Sequence, residues 1–388
     1  MKNKKLFTAL VMLGALAFLI YLLDYYQSID PFDDLIATSS EAYALSGYVS
    51  SREDSIKALN MFGDIIWQYT RNMDQNRYRD QFLYSWYERR ADIHSGLGNY
   101  RLAIEDLNRT IAWNKDQRSV DYDRLMKLYM KRSNTFLKMR NFDYAIIDTE
   151  NALVAFQENN SWTTYYRNDE RELANIYNHR AKIYFEKEAY EKAHEEIEIA
   201  IKYKSSERLT APGSEMDQIF TEGIRYGLTK KIIFAGDILA KLGDYQSATN
   251  HYSSSLQAAN TFNKIFRRNI EVVALQQRAK SNFYIGQYQK SFDDGNNLLS
   301  LYTELENNPP SEVYRYRGRS RYVLGDRLGA KEDMIKAKEL NERDGLAHLY
   351  LGLLRIERGD LVQGCADLRR AAENNIDDAF EQIRIYCR

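Results

Sequence analysis

Along most of this chain, apolar residues recur at helical spacing in short segments that come in pairs. The second segment of a pair is typified by Ala103-Ile104-Glu105-Asp106-Leu107 and by Ala145-Ile146-Ile147-Asp148. A small residue on the first segment precedes a small residue on the second by twelve positions, and this happens eight times. The first members are Ser46, Ala91, Ser133, Ala181, Gly236, Ala279, Gly318 and Gly352; the second are Ala58, Ala103, Ala145, Ala193, Ala248, Ser291, Ala330 and Gly364. Between them lies a turn, clearest in Leu97-Gly98-Asn99-Tyr100, Leu242-Gly243-Asp244-Tyr245 and Ile285-Gly286-Gln287-Tyr288. Small residues at matched points let two helix backbones approach closely, and a fixed internal period predicts a solenoid of helix pairs. The units begin near Ser39, Tyr84, Met126, Ala174, Thr229, Val272, Ser311 and Gly345.

A second period runs inside the first. Arg90, Arg132, Arg180, Arg278 and Arg317 each precede a first small residue, and sixteen positions later stand Asp106, Asp148, Glu196, Asp294 and Asp333. Where the arginine is missing the acid is usually missing too: Ala235 stands before His251, and Leu45 before Met61, while Leu351 with Asp367 breaks the rule. Loss of both together favours guanidinium–carboxylate pairs within each unit over a ladder of ligand-binding arginines.

These residues resemble the tetratricopeptide repeat (TPR) family, with its small residues on both helices and its Gly-x-Tyr turn. The resemblance covers Tyr84 to Ile376 well and is weaker at Ser39, whose turn, Ser51-Arg52-Glu53-Asp54, lacks glycine and tyrosine. It implies an all-α, right-handed superhelical solenoid of about eight units that binds a protein or peptide in a concave groove lined by first helices. Projecting the family's groove positions gives Met130, Asn134 and Leu137; Asn178, Lys182 and Phe185; Gln276, Lys280 and Phe283; and Arg315, Arg319 and Tyr322. The carboxylate clamp of chaperone-binding members is matched only at Asn134; the preceding Lys and the paired Asn are absent.

Residues Leu6 to Leu23 carry no charge and follow Lys2, Lys4 and Lys5. A helix of this length spans roughly 27 Å, near the thickness of a bilayer core. Asp24, Asp30, Asp33 and Asp34 crowd the far side, and the next basic residue is Arg52. The positive-inside rule then keeps residues 1–5 in the cytoplasm and puts the body across the membrane. A cleaved signal peptide, cut after Ala15 and Ala17, is the rival reading. The expected order is a 1–5 tail, a 6–23 transmembrane anchor, a 24–38 linker, a 39–378 solenoid and a 379–388 capping helix. The long link from Tyr203 to Gly227 reads as a loop with a short extra helix at Met216 to Phe220. Asp377 to Arg388 reads as a helix with Phe380, Ile383 and Ile385 on its apolar side.

Composition changes this picture little. Lys and Arg total 54 against 55 acids, so no basic excess points to nucleic acid. Four prolines suit a helical chain, since an interior proline costs ~3 kcal/mol. Thirty tyrosines fit the wedge-shaped gaps of helix repeats or a binding surface. His94, His179, His194, His251 and His348 fall in different units without metal spacing, and no GxxxxGK[ST], GxGxxG or GxSxG stretch occurs. Neither cofactor, metal nor catalytic residue is expected. The sequons at Asn108 and Asn159 matter only in a eukaryotic secretory route.

Cys365 and Cys387 are the only cysteines. An antiparallel hairpin bending near Asn375 would set them at heights of roughly 15 and 18 Å, so a disulfide or two buried thiols are both open. The sequence thus reads as a non-enzymatic scaffold tethered to a membrane, on the pattern of a bacterial inner-membrane protein facing the periplasm. The alternatives are a secretion or envelope-assembly accessory or sensor that captures exported peptides, and a TPR appendage of an enzymatic complex.

Overall fold

The computed structural model describes residues 31–47, 51–72, 77–160, 169–206 and 215–387. The expected anchor at 6–23 lies outside them, and no helix among the described residues is long and apolar enough to cross a membrane. All regular structure among them is helical, and the chain divides into two compact units, residues 1–166 and 167–388.

The first unit holds α1 (Pro31–Leu45), α2 (Arg52–Asn72), α3 (Arg77–Gly96), α4 (Tyr100–Lys115), α5 (Tyr122–Lys138) and α6 (Phe142–Asn160). The second holds α7 (Asp169–Glu186), α8 (Tyr190–Ser206), α9 (Glu215–Lys241), α10 (Tyr245–Ala259), α11 (Lys264–Tyr284) and α12 (Tyr288–Glu304). It continues with α13 (Ser311–Leu324), α14 (Arg327–Leu340), α15 (Gly345–Glu357), α16 (Leu361–Glu373) and α17 (Asp377–Tyr386). Within each unit every helix packs on the next in sequence. In the second unit α9, α11, α13, α15 and α17 also meet one another in series. First helices therefore approach across the repeats and form one inner row.

The twelve-residue period is the point of closest approach within a pair. A Cβ on Gly352 would come within 3.0 Å of the Gly364 carbonyl oxygen, and one on Gly236 within 2.7 Å of the Tyr252 ring. Where serine holds the position it bridges the gap: Ser133 Oγ donates to the Ala145 carbonyl and Ser291 Oγ to that of Ala279, both at 2.7 Å. Seven residues after each first small residue the turn needs a left-handed backbone. Gly98, Gly243, Gly286, Gly325 and Gly359 supply it, and Arg140 and Glu188 adopt it at φ 57° and 63° despite their side chains. The pair α1–α2, which lacks that turn, is where the repeat pattern was weakest.

Each arginine of the sixteen-residue period grips its acid. Arg132 donates from Nε and Nη2 to Asp148 at 2.8 and 2.6 Å, Arg90 to Asp106 at 2.8 and 2.7 Å, and Arg278 to Asp294 at 3.0 and 2.6 Å. Arg317 forks Asp333 in the same way, and Arg180 Nε reaches Glu196 at 2.7 Å. The third nitrogen ties back to the preceding pair: Arg278 Nη1 to Ser253 and Arg317 Nη1 to Asn296, both at 3.1 Å. Tyrosines three residues earlier lie under four of these guanidiniums: Tyr87, Tyr129, Tyr177 and Tyr314. The exception at Leu351 is repaired from one turn to either side, where His348 and Arg355 both reach buried Asp367. In the pair α9–α10, where Ala235 takes the arginine position, Tyr252 on the second helix instead donates to Asp237 on the first at 2.8 Å.

Three expectations are corrected. Residues 31–38, read as linker, belong to α1, with Phe32 and Leu35 buried. The short helix at 216–220 is the start of α9, a single helix of 27 residues. Gly223 and Gly227 weaken its pattern, yet buried Thr221 and Ile224 hold the extension in place, Tyr226 stacks on Phe266 at 4.4 Å, and Glu222 accepts from Asn263 at the start of α11. In α17 the inward face is Ala379, Ile383 and Cys387, spaced by four, so Phe380 and Ile385 point outward at 54% and 55% exposure. Cys365 and Cys387 are joined by a disulfide, with Cα atoms 5.6 Å apart, that fastens α17 to α16.

Candidate functional site on the first-helix faces

Each unit presents a face built from its first helices, and the two faces differ in charge. In the first unit Glu88 and Asp92 on α3 project toward α5. Lys131 Nζ binds both, at 2.7 and 2.9 Å, and Arg124 reaches Glu88 at 3.3 Å. Burial opposes the Lys131 charge, but Asp92 and Glu88 outweigh it and raise its pKa. Tyr43 on α1 meets Ser85 of α3 at 2.8 Å. Met130 and Leu137 stand half-buried on α5, and Asn134 is exposed.

In the second unit Asn178, Lys182 and Phe185 lie on α7. Phe185 packs edge-on against Tyr190 and Phe234 at 5.5 and 5.4 Å, so it serves the core rather than an open groove. Lys182 is exposed, and no carboxylate comes within ion-pair distance of it among the described residues. Burial and then the neighbouring Lys230 of α9 lower its pKa. Burial beside Lys182 also lowers His179 to about 4. Asp237 of α9 is pushed up to about 6 by burial, opposed by its bond from Tyr252 and by the charge of Lys280.

The six residues of α11 and α13 expected to be open have different fates. Phe283 and Arg319 are buried: the guanidinium lies 4.0 Å from the Phe283 ring and within 5.7 Å of Tyr284, Tyr316 and Tyr350. Gln276 and Arg315 are engaged with Glu312, at 2.8 and 3.1 Å, and Arg315 also reaches Asp344 at 3.2 Å. Tyr322 donates to Glu357 at 2.6 Å. Lys280 keeps its amine free of any ion pair among the described residues. Glu88, Asp92 and Lys230 were missed in the sequence; the same groove positions, applied to the units at Tyr84 and Thr229, would have found them.

Away from this face, a cleft of about 850 Å³ opens between α10, α11 and α12. Three of its cations are already matched: Arg267 with Glu271, Arg268 with Glu304 and Arg278 with Asp294. Among the described residues no three of His, Cys, Asp and Glu gather as a metal site.

No family profile matches the chain. Human tetratricopeptide repeat protein 13 is 27% identical over 110 residues, which is 28% of this chain and 12% of that protein. The fold is similar to that of a STAND signal-transduction ATPase with a tetratricopeptide repeat sensor from Pyrococcus horikoshii. There the TM-score is 0.55 at 16% identity, covering 92% of this chain and 52% of the other. It is also similar to BtubC from P. vanneervenii, with TM-score 0.51 and 15% identity over 67% of this chain and 94% of that one. At such identities the likeness concerns the fold alone. Joined to the twelve-residue period, the left-handed turns and the stacked helix pairs, it gives this chain the fold of a tetratricopeptide-repeat array.

Proposed function

We propose that the protein is a non-enzymatic interaction scaffold, tethered to a membrane at residues 6–23, that holds a polypeptide partner on the first-helix face of its second unit. One observation carries this reading. First helices α9, α11, α13 and α15 meet in series to form a continuous inner row, and Lys182, Lys230 and Lys280 on that row and on α7 form no ion pair among the described residues. On the first unit's face, by contrast, the acids of α3 are paired with Lys131 and Arg124 of α5. A continuous row of helix faces suits an extended segment, as solenoids commonly use theirs.

The tether rests on the uncharged run Leu6 to Leu23 and on the lysines before it. An extracytoplasmic body agrees with the Cys365–Cys387 disulfide, which persists in oxidising compartments. A photo-crosslinker placed at Asn178 or Lys280 in the native membrane should capture a partner, whereas one at Gln257 or Ser300 should not. Capture only from the second pair of positions would move the interface to the cleft beside α10 and α12. Protease added to spheroplasts should degrade the body; full protection would reverse the topology.

A further inference from the structure

We infer that the partner segment is acidic and extended, and that its carboxylates lie against Lys182, Lys230 and Lys280 on α7, α9 and α11. The inference rests on the reading just given and adds the chemistry of the partner. Three observations point the same way.

The three lysines stand at groove positions of consecutive first helices, and none has a carboxylate at ion-pair distance among the described residues. Lys182 and Lys230 are close enough for each charge to disfavour the other. Like charges left together on a solvated face cost stability unless something of opposite sign occupies it. The first unit meets the corresponding need from within: its acids on α3 are taken by Arg124 and Lys131 of α5. In the second unit Asp237 attracts Lys280 electrostatically, but no acid forms an ion pair with any of the three lysines among the described residues.

The acids that reach this face do not close these charges. Asp237 attracts Lys280 but holds its carboxyl on Tyr252, and burial raises its pKa to about 6, so part of its charge is absent in mildly acidic solution. Glu312 is occupied by Gln276 and Arg315. The surface keeps a positive excess although the whole chain carries −1. That complementarity selects a segment rich in Asp and Glu, and Asn178 beside Lys182 can hydrogen-bond its backbone.

The test uses the full-length chain and fluorescent decapeptides in which Glu alternates with Ser, with Gln–Ser and Lys–Ser peptides of the same length as controls. The Glu peptide should bind at least tenfold more tightly than the Gln peptide at low salt, and the difference should shrink as salt screens the charges. Combined Lys182→Gln, Lys230→Gln and Lys280→Gln should abolish the preference with melting unchanged. Combined Lys202→Gln, Lys241→Gln and Lys290→Gln, which removes the same charge from other surfaces, should leave it within twofold. Equal losses in both variants would show diffuse attraction and overturn the inference, as would equal binding of the Glu and Gln peptides. If crosslinking at Lys280 still captures a partner in that case, the scaffold reading stands and only its acidic chemistry falls. A lysine-dependent self-association seen by light scattering would make the occupant a second copy of this chain, and would also overturn it.

Discussion

The first-helix faces of the two units solve the same electrostatic problem in opposite ways. On α3 and α5 acids and bases occur together and neutralise each other. On α7, α9 and α11 the groove lysines Lys182, Lys230 and Lys280 form no ion pair among the described residues. The inner ladder shows no such contrast, because buried arginine–acid pairs recur in both units. The repeat therefore conserves its framework within the chain and varies the charge it shows outward.

The largest expected effect tests the framework. Asp148 and Asp294 are almost wholly buried, and removing the guanidinium would leave each charge without its ion pair. Arg132→Ala in the first unit and Arg278→Ala in the second should each cost about 3–5 kcal/mol in chemical denaturation. Similar losses in the two units would support a common ladder; wild-type stability in both would return the arginines to a ligand-binding role.

Next comes a difference confined to the second unit. The Asp237 carboxyl has its pKa raised from 3.8 to about 6, so the folded state holds a proton there that the unfolded chain has lost. Its contribution should make stability fall as pH rises from 4 to 6, by ~3 kcal/mol at most. His179, lowered to about 4, acts in the opposite direction over pH 4 to 6.5, because the unfolded chain is the one that binds the extra proton. Asp237→Asn should remove the first slope and leave the second, so its denaturation profile should rise more steeply with pH than that of the wild type. Parallel profiles would refute the buried carboxyl.

The comparison itself is sharpened by Lys131→Gln, which should cost about 1–2 kcal/mol by leaving Glu88 and Asp92 facing each other. Lys182→Gln should stay within about 0.5 kcal/mol of neutral and could raise stability by relieving Lys230. Equal costs at the two sites would erase the distinction. The smallest effect concerns the turns: Arg140→Gly and Glu188→Gly should each gain up to about 1 kcal/mol in melting experiments, since both residues hold a left-handed backbone.

Much of the framework was legible because its contacts are local. A helix pair closes within about thirty residues, so the Gly352–Gly364 approach and the Arg132–Asp148 bond both leave fixed offsets in the sequence. What escaped depends on neighbours outside the pair. Arg319 looked like an open groove residue, but rings from α11 and α15 enclose it. The length of α9 was hidden by two glycines and is set by α11, which its extension holds at Asn263. Arg355 replaces the arginine absent at Leu351 because a residue one turn along the same helix reaches the same carboxylate, an equivalence in space that a fixed offset does not record.

The disulfide also decides how the array bears load. A pull on the C-terminal residue passes from Cys387 through the sulfurs to Cys365, near the start of α16, so tension bypasses α17 and most of α16. Helix α17 cannot peel away from the end while that bond lasts. An array pulled between its ends would yield first among the repeats before Cys365, while the segment from Cys365 to Cys387 would bear no tension as long as the bond lasts.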